Sequence, residues 1–150
     1  MDWIIDATRK EILKHPARFK ILSCGRRWGK SMVSLLFLLH KPFKPNERRW
    51  IVFPTYRQAK MVSWSILKSV FAQKNVSINE TELSITLDNG AKIELKGADR
   101  GEDSLRGVSV NMVVMDEYAF MKENVWGGSH TTNFSRNTKE QHYLLVHQVD

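Results

Sequence analysis

A short apolar run, a basic turn with two glycines and a helix that is apolar on nearly every side follow one another near the front of this 150-residue chain. That order restricts the fold more than any other feature. Phe19, Lys20, Ile21, Leu22 and Ser23 form the run, and Gly25-Arg26-Arg27-Trp28-Gly29-Lys30-Ser31 forms the turn. From Lys30 the segment SMVSLLFLLH predicts a buried helix, ended by Pro42 and Pro45. A strand that leads through a tight turn into a buried helix belongs to a layered α/β sheet.

The rest of the chain repeats the alternation. Residues 6–15 predict a short helix capped by Asp6 and stopped by Pro16. Trp50, Ile51, Val52 and Phe53 predict a second buried strand closed by Pro54. Residues 57–72 place Ala59, Val62, Ile66 and Val70 at helical spacing, with Trp64 on a flank. Leu83–Leu87, then Asp88-Asn89-Gly90, then Ala91–Leu95 predict a hairpin, because the middle residues tolerate positive φ. After a polar loop over 97–109, Val110 and Met112–Met115 form a run apolar on both faces, as a central parallel strand requires. It ends at Asp116-Glu117, and a helix is expected from Tyr118.

Two segments carry chemistry. Successive backbone N–H groups in the 25–31 turn, at a helix start, form a cradle for phosphate oxygens. Lys30 would reach the β- and γ-phosphates of ATP and Ser31 would hold Mg²⁺. The usual G-x-x-x-x-G-K-[ST] pattern is not met, because Cys24 stands where its first glycine belongs. The second segment is Val113-Val114-Met115-Asp116-Glu117: a carboxylate at the end of a buried strand can anchor the metal, and its neighbour can activate the attacking water. Arg26 and Arg27 have two readings, an arginine finger within the chain or cations facing solvent or DNA backbone. Trp28 reads as a packing residue.

Composition limits the remaining classes. Residues 1–60 hold 14 basic and 4 acidic side chains, whereas residues 61–126 hold 7 and 10, so the overall charge of +7 is concentrated at the front. That asymmetry suits a polyanionic partner. No apolar run reaches the roughly 18 residues that span a bilayer, and Met1–Lys10 lacks a secretory core, so no membrane partner and a cytoplasmic location are expected. The single Cys24 excludes an internal disulfide and a cysteine zinc site.

These residues resemble a known family, the ATPase domain of the large terminase subunit of tailed bacteriophages. The likeness lies in GRRWGKS at 25–31, IVFPTYRQAKMVSWSILK at 51–68, IELKGADRGEDSLRGVSVNMVVMDEYAFM at 93–121, and VW at 125–126. It implies an α/β fold of the P-loop NTPase, ASCE or RecA-like type. A mainly parallel sheet would be flanked by helices, carry a β-hairpin insertion and be incomplete at its C-terminus. It also implies a motor that hydrolyses ATP with Mg²⁺ to package double-stranded viral DNA in the host cytoplasm. Its partners would be a portal protein and a small terminase subunit, and it would work as a homo-oligomeric ring.

By the same resemblance Gly25, Arg26, Arg27, Trp28, Gly29, Lys30 and Ser31 bind the nucleotide. Ser31 and Asp116 hold the metal, Arg26 is the internal finger and Glu117 the catalytic base. Pro54, Thr55 and Tyr56 match a segment linking nucleotide state to DNA grip. A helicase-like P-loop NTPase and a non-catalytic remnant that binds nucleotide or DNA are the competing readings.

Departures from the family are specific. There is no glutamine before Gln58 to read adenine, and Thr8, Arg9 and Lys10 occupy that neighbourhood. Residues 1–126 are therefore expected to be a partial ATPase domain. Residues 127–150 read as a tail foreign to the family, with the coupling strand and the nuclease missing and Tyr143–Val146 as the one apolar run. Gly128–Phe134, reverse-translated and read one nucleotide later, spells EVIQPTL, which resembles the family's continuation and suggests an out-of-frame peptide.

Overall fold

A computed structural model describes residues 5–100, 105, 108–121 and 142–149. Helix α1 (Ala7–Lys14) starts as expected, the Asp6 carboxylate accepting from the Arg9 N–H at 2.8 Å. Strand β1 (Phe19–Cys24) leads into helix α2 (Lys30–Leu39) through the basic turn. Strand β2 (Arg48–Phe53) precedes a composite helix α3, which comprises Tyr56–Ala59, a π-helical turn over Lys60–Trp64, and Ser65–Val70. Strands β3 (Val76–Asn79), β4 (Ser84–Leu87), β5 (Lys92–Gly97), β6 (Met112–Asp116) and β7 (His142–Gln148) complete the elements that position the site.

The seven strands form one sheet in the order β1-β7-β6-β2-β5-β4-β3. β1, β7, β6, β2 and β5 pair in parallel, and β4 alone runs against the other strands, pairing antiparallel with β5 and β3. The mainly parallel α/β sheet expected from the sequence is therefore present. The expected hairpin is β4–β5, with Ser84 opposite Glu94 and Gly90 at φ 82°, and it joins the sheet because β5 also pairs with β2.

Within the stretch expected to be foreign to the family, His142–Gln148 forms a strand that inserts between β1 and β6, with Leu22 opposite Val146 and Val114 opposite Leu144. Its Tyr143–Val146 run is buried on both faces, as a central parallel strand requires. Residues 122–141, including the Val125-Trp126 pair and most of the stretch read as a tail, lie outside the described residues.

Alternation with period two splits each strand between two cores. Ile51, Phe53, Ile93, Leu95, Val114, Leu144 and Val146 pack with Val33, Leu35 and Phe37 of α2 on one face. Trp50, Val52, Val113, Met115, Tyr143 and Leu145 pack with Leu105 and Val110 on the other. Burying a side chain of this size contributes about 1.5–3 kcal/mol.

The π turn also alters the face of α3. It inserts one residue into the helical register, so Ala59, Ser63, Trp64 and Leu67 are buried, while Val62 of the expected stripe is 39% exposed. Beside it, the start of α3 is pinned to the end of β5. A Cβ on Gly97 would overlap the Tyr56 backbone, and the Tyr56 N–H donates to Asp99 Oδ1 at 2.9 Å. This anchors the Pro54-Thr55-Tyr56 segment at the same edge of the sheet as the basic turn.

Candidate functional site

In an open parallel sheet, ligands bind outside the carboxyl ends of the strands, where loops from different strands converge. Cys24, Phe53, Gly97, Asp116 and Gln148 mark that edge here. The turn after β1 has the backbone that a phosphate cradle needs: Arg27 at φ 58° and Gly29 at φ 89° are both left-handed. Gly29 is the N-cap of α2, so the helix N-terminus, with its free N–H groups and positive dipole end, points into the turn.

The turn is braced from outside by Arg9 of α1. Its Nη2 donates to the Trp28 carbonyl at 2.6 Å, and its guanidinium lies 5.1 Å from the centre of the Trp28 ring. A Cβ on Gly29 would stand 2.8 Å from Arg9 Nη2, the movable end of a side chain, so it is the positive φ that calls for glycine there. Trp28 packs against the core, as expected of it. Arg9 lies in the neighbourhood where the sequence offers no adenine-reading glutamine, and its contacts there are to the loop itself. Arg26 and Arg27 are exposed on the turn, and Ser31 is half-buried in the first turn of α2.

The acidic pair meets this turn directly. Lys30 Nζ forms an ion pair with Glu117 Oε1, although 87 residues separate them in sequence. The same Nζ donates to Gln148 Oε1 at 2.9 Å. The phosphate turn after β1, the carboxylates at the end of β6 and the end of the intervening β7 thus share one point. Sequence reasoning missed Gln148. Its signal was a polar residue on the same strand parity as Leu144 and Val146, directly after an apolar run.

Asp116 is the last residue of β6 and is 3% exposed. Burial, and then the neighbouring Glu117 charge, push its carboxyl from the ordinary value of 3.8 up to about 6, against a smaller opposing pull from Lys30. Asp116 Oδ1 and Glu117 Oε2 are both buried without a hydrogen-bond partner. Orphaned carboxylate oxygens on two consecutive residues fit a hard divalent cation. Among the described residues no group of three or more His, Cys, Asp or Glu side chains forms a closed metal centre, and Mg²⁺ completed by substrate phosphates needs none.

The raised Asp116 value has a stability consequence. A carboxyl raised in the folded state favours folding fully below pH 3.8, and that contribution is lost as the pH climbs through about 6. Asp116→Asn is expected to raise the stability of the ligand-free chain at pH 8 by up to about 3 kcal/mol. The advantage should vanish near pH 4. Thermal melts of both proteins at the two pH values check this, and equal gains at both would contradict it.

Residues 21–143 match the family described as terminase large subunit, T4likevirus-type, N-terminal. The terminase large subunit of Thermus phage G20c is 28% identical over 136 aligned residues, covering 77% of this chain and 28% of that protein. The chain thus spans little more than a quarter of that curated relative. The fold is similar to the large terminase ATPase domain of Thermus phage P74-26. There the TM-score is 0.75 at 22% identity, with 97% of this chain and 65% of that chain covered. It is also similar to the large terminase of the thermophilic bacteriophage D6E, solved in complex with ATP-gamma-S. There the TM-score is 0.65 at 15% identity, with 93% of this chain and 37% of that chain covered.

Proposed function

We propose, because the chain belongs to the N-terminal, T4-like-virus-type family of terminase large subunits, that it binds ATP with Mg²⁺ and hydrolyses it to drive packaging of double-stranded viral DNA. In the whole protein the domain would work with a portal protein and a small terminase subunit, as one member of a homo-oligomeric ring. One observation carries the reading: Lys30 meets Glu117 and Gln148, so the phosphate turn and the acidic strand end face the same space. The ATP-gamma-S complex of the D6E relative supports nucleotide binding.

The chemistry follows from the chain's own groups. The N–H groups of 25–29 and the start of α2 receive phosphate oxygens. Lys30 leaves Glu117 to meet the β- and γ-phosphates, and this frees the Glu117 carboxylate to accept a proton from the attacking water. Gln148, already beside Lys30, orients that water or a γ-phosphate oxygen. Arg26 neutralises charge developing on the transferred group. Ser31 and Asp116 would hold Mg²⁺, which supplies charge neutralisation across the phosphates. The site binds only the folded chain, so ATP stabilises it by mass action, by about 2.7 kcal/mol at a hundred times Kd.

The test is a thermal melt with and without millimolar Mg·ATP. A rise of several degrees in the parent chain is expected, together with its loss in Lys30→Ala. No rise in the parent chain, or an equal rise in the variant, would overturn the reading.

A further inference from the structure

Helix α1 supplies none of the nucleotide contacts assigned to the turn and the acidic strand end, yet one of its side chains holds the turn's backbone. Arg9 is partly buried, and its Nη2 donates to the Trp28 carbonyl at 2.6 Å. Its Nη1 is held in turn by the Asp6 carboxylate at 3.0 Å, and its guanidinium lies against the Trp28 ring. Asp6 is itself the N-cap of α1, accepting from the Arg9 N–H. The contacts therefore run from a helix cap, through a guanidinium, to one backbone carbonyl of the turn.

That carbonyl matters because of the peptide plane to which it belongs. The bond from Trp28 to Gly29 is trans, so the Trp28 C=O and the Gly29 N–H point in opposite directions across one plane. With the oxygen turned outward to α1, the N–H is turned away from α1, and it makes no hydrogen bond among the described residues. Gly29 is also the N-cap of α2, where unpaired N–H groups gather. Glycine has no Cβ to forbid other backbone angles, so nothing in the residue itself fixes that plane. Turned over, it would present a carbonyl oxygen, which repels an anion, where a donor is needed. An anchor for α1 explains less. Asp6 is half-exposed, and pairs of that kind contribute about 0–1 kcal/mol, while Leu13 already seats the helix in the main core. The guanidinium also leaves Nε buried without a partner, a cost that fastening the helix does not require.

We propose that Arg9 is a positioning residue for the nucleotide: by holding the Trp28 carbonyl outward, it keeps the Gly29 N–H aimed at a phosphate oxygen. The inference rests on the nucleotide reading of the turn and adds a residue to it. Arg9 acts through the 28–29 peptide rather than by touching phosphate itself. Lysine can donate to the same carbonyl with its ammonium but lacks the planar fork and the ring stacking, so it substitutes only in part. Alanine cannot. Arg9→Ala leaves the helix cap in place, because that bond uses the Arg9 backbone N–H.

The experiment follows the Gly29 amide signal of the isotope-labelled whole chain as Mg·ATP-gamma-S is added, with binding measured in parallel by calorimetry. In the parent the Gly29 proton should move downfield and saturate, as an N–H that donates to an anion does. Arg9→Ala should bind about 10–100-fold more weakly, the loss of one hydrogen bond to a charged group. Its Gly29 proton should stay near the ligand-free position even at saturation. Arg9→Lys should lie between the two in affinity and restore the downfield movement. The signal is read at saturation, where each variant is held folded by its ligand, so a loss of stability does not mimic the expected result. Parent affinity in Arg9→Ala, or weaker affinity with the Gly29 movement unchanged at saturation, overturns the proposal and leaves the nucleotide reading standing. A parent chain that binds no nucleotide removes both.

Discussion

Glu117→Gln is expected to lower steady ATP hydrolysis by roughly 10²–10⁴-fold, the usual worth of a positioned general base, while Mg·ATP still stabilises the chain. The amide keeps the shape of the carboxylate and can still accept from Lys30, so the geometry around the ion pair should persist. What it loses is a basic oxygen. Glu117 Oε2 is buried and unpartnered, the condition of a group awaiting a proton or a cation rather than one spent on structure. The backbone agrees, because Glu117 is held at φ 55°, a left-handed conformation that costs a non-glycine residue roughly 1–2 kcal/mol. Phosphate release measured beside a thermal shift separates the two effects. Hydrolysis above a tenth of the parent rate would assign the base elsewhere.

Arg49→Met should destabilise the fold by about 3–5 kcal/mol. The guanidinium is wholly buried, bonds three carbonyls at the end of α2, pairs with Glu47 and stacks 3.8 Å from the centre of the Phe43 ring. Removing it strands the Glu47 carboxylate and those carbonyls together. A double-mutant cycle distinguishes these losses. Glu47→Leu on top of Arg49→Met should recover part of the deficit, because an unpaired buried charge costs more than an apolar replacement of the pair. Urea unfolding measures both, and a loss below about 1 kcal/mol for the single change would show that the carbonyls find other donors.

What the sequence made legible was local. The turn from Gly25 to Ser31, the acidic end of β6 and the β4–β5 hairpin each carry their own signal in side-chain period and turn chemistry, and the structure forms all three. Lys30 meeting Glu117 was inferable because both follow parallel strands, whose carboxyl ends share one edge. Three features were not legible. β3 is four residues of mostly exposed side chains, so it has no apolar pattern to read. Arg49 looks like part of a basic linker, and only the position of the α2 carbonyls makes it a core residue. β7 was visible as an apolar run but not as a neighbour of β1, since parallel pairing between residues 124 apart leaves no trace in either segment. Gln148 was lost with it.

The placement of β7 also bears on how the domain is made. Among the described residues β1 pairs with β7 alone, and β7 follows all the other described strands in sequence. During synthesis the helices and the β2–β6 half of the sheet can collapse while β1 waits for a neighbour that has not yet left the ribosome. Its half-exposed Phe19 and exposed Ile21 stay open to wrong partners for that interval. Lys30 gains Gln148, its second partner beside Glu117, only when that strand docks.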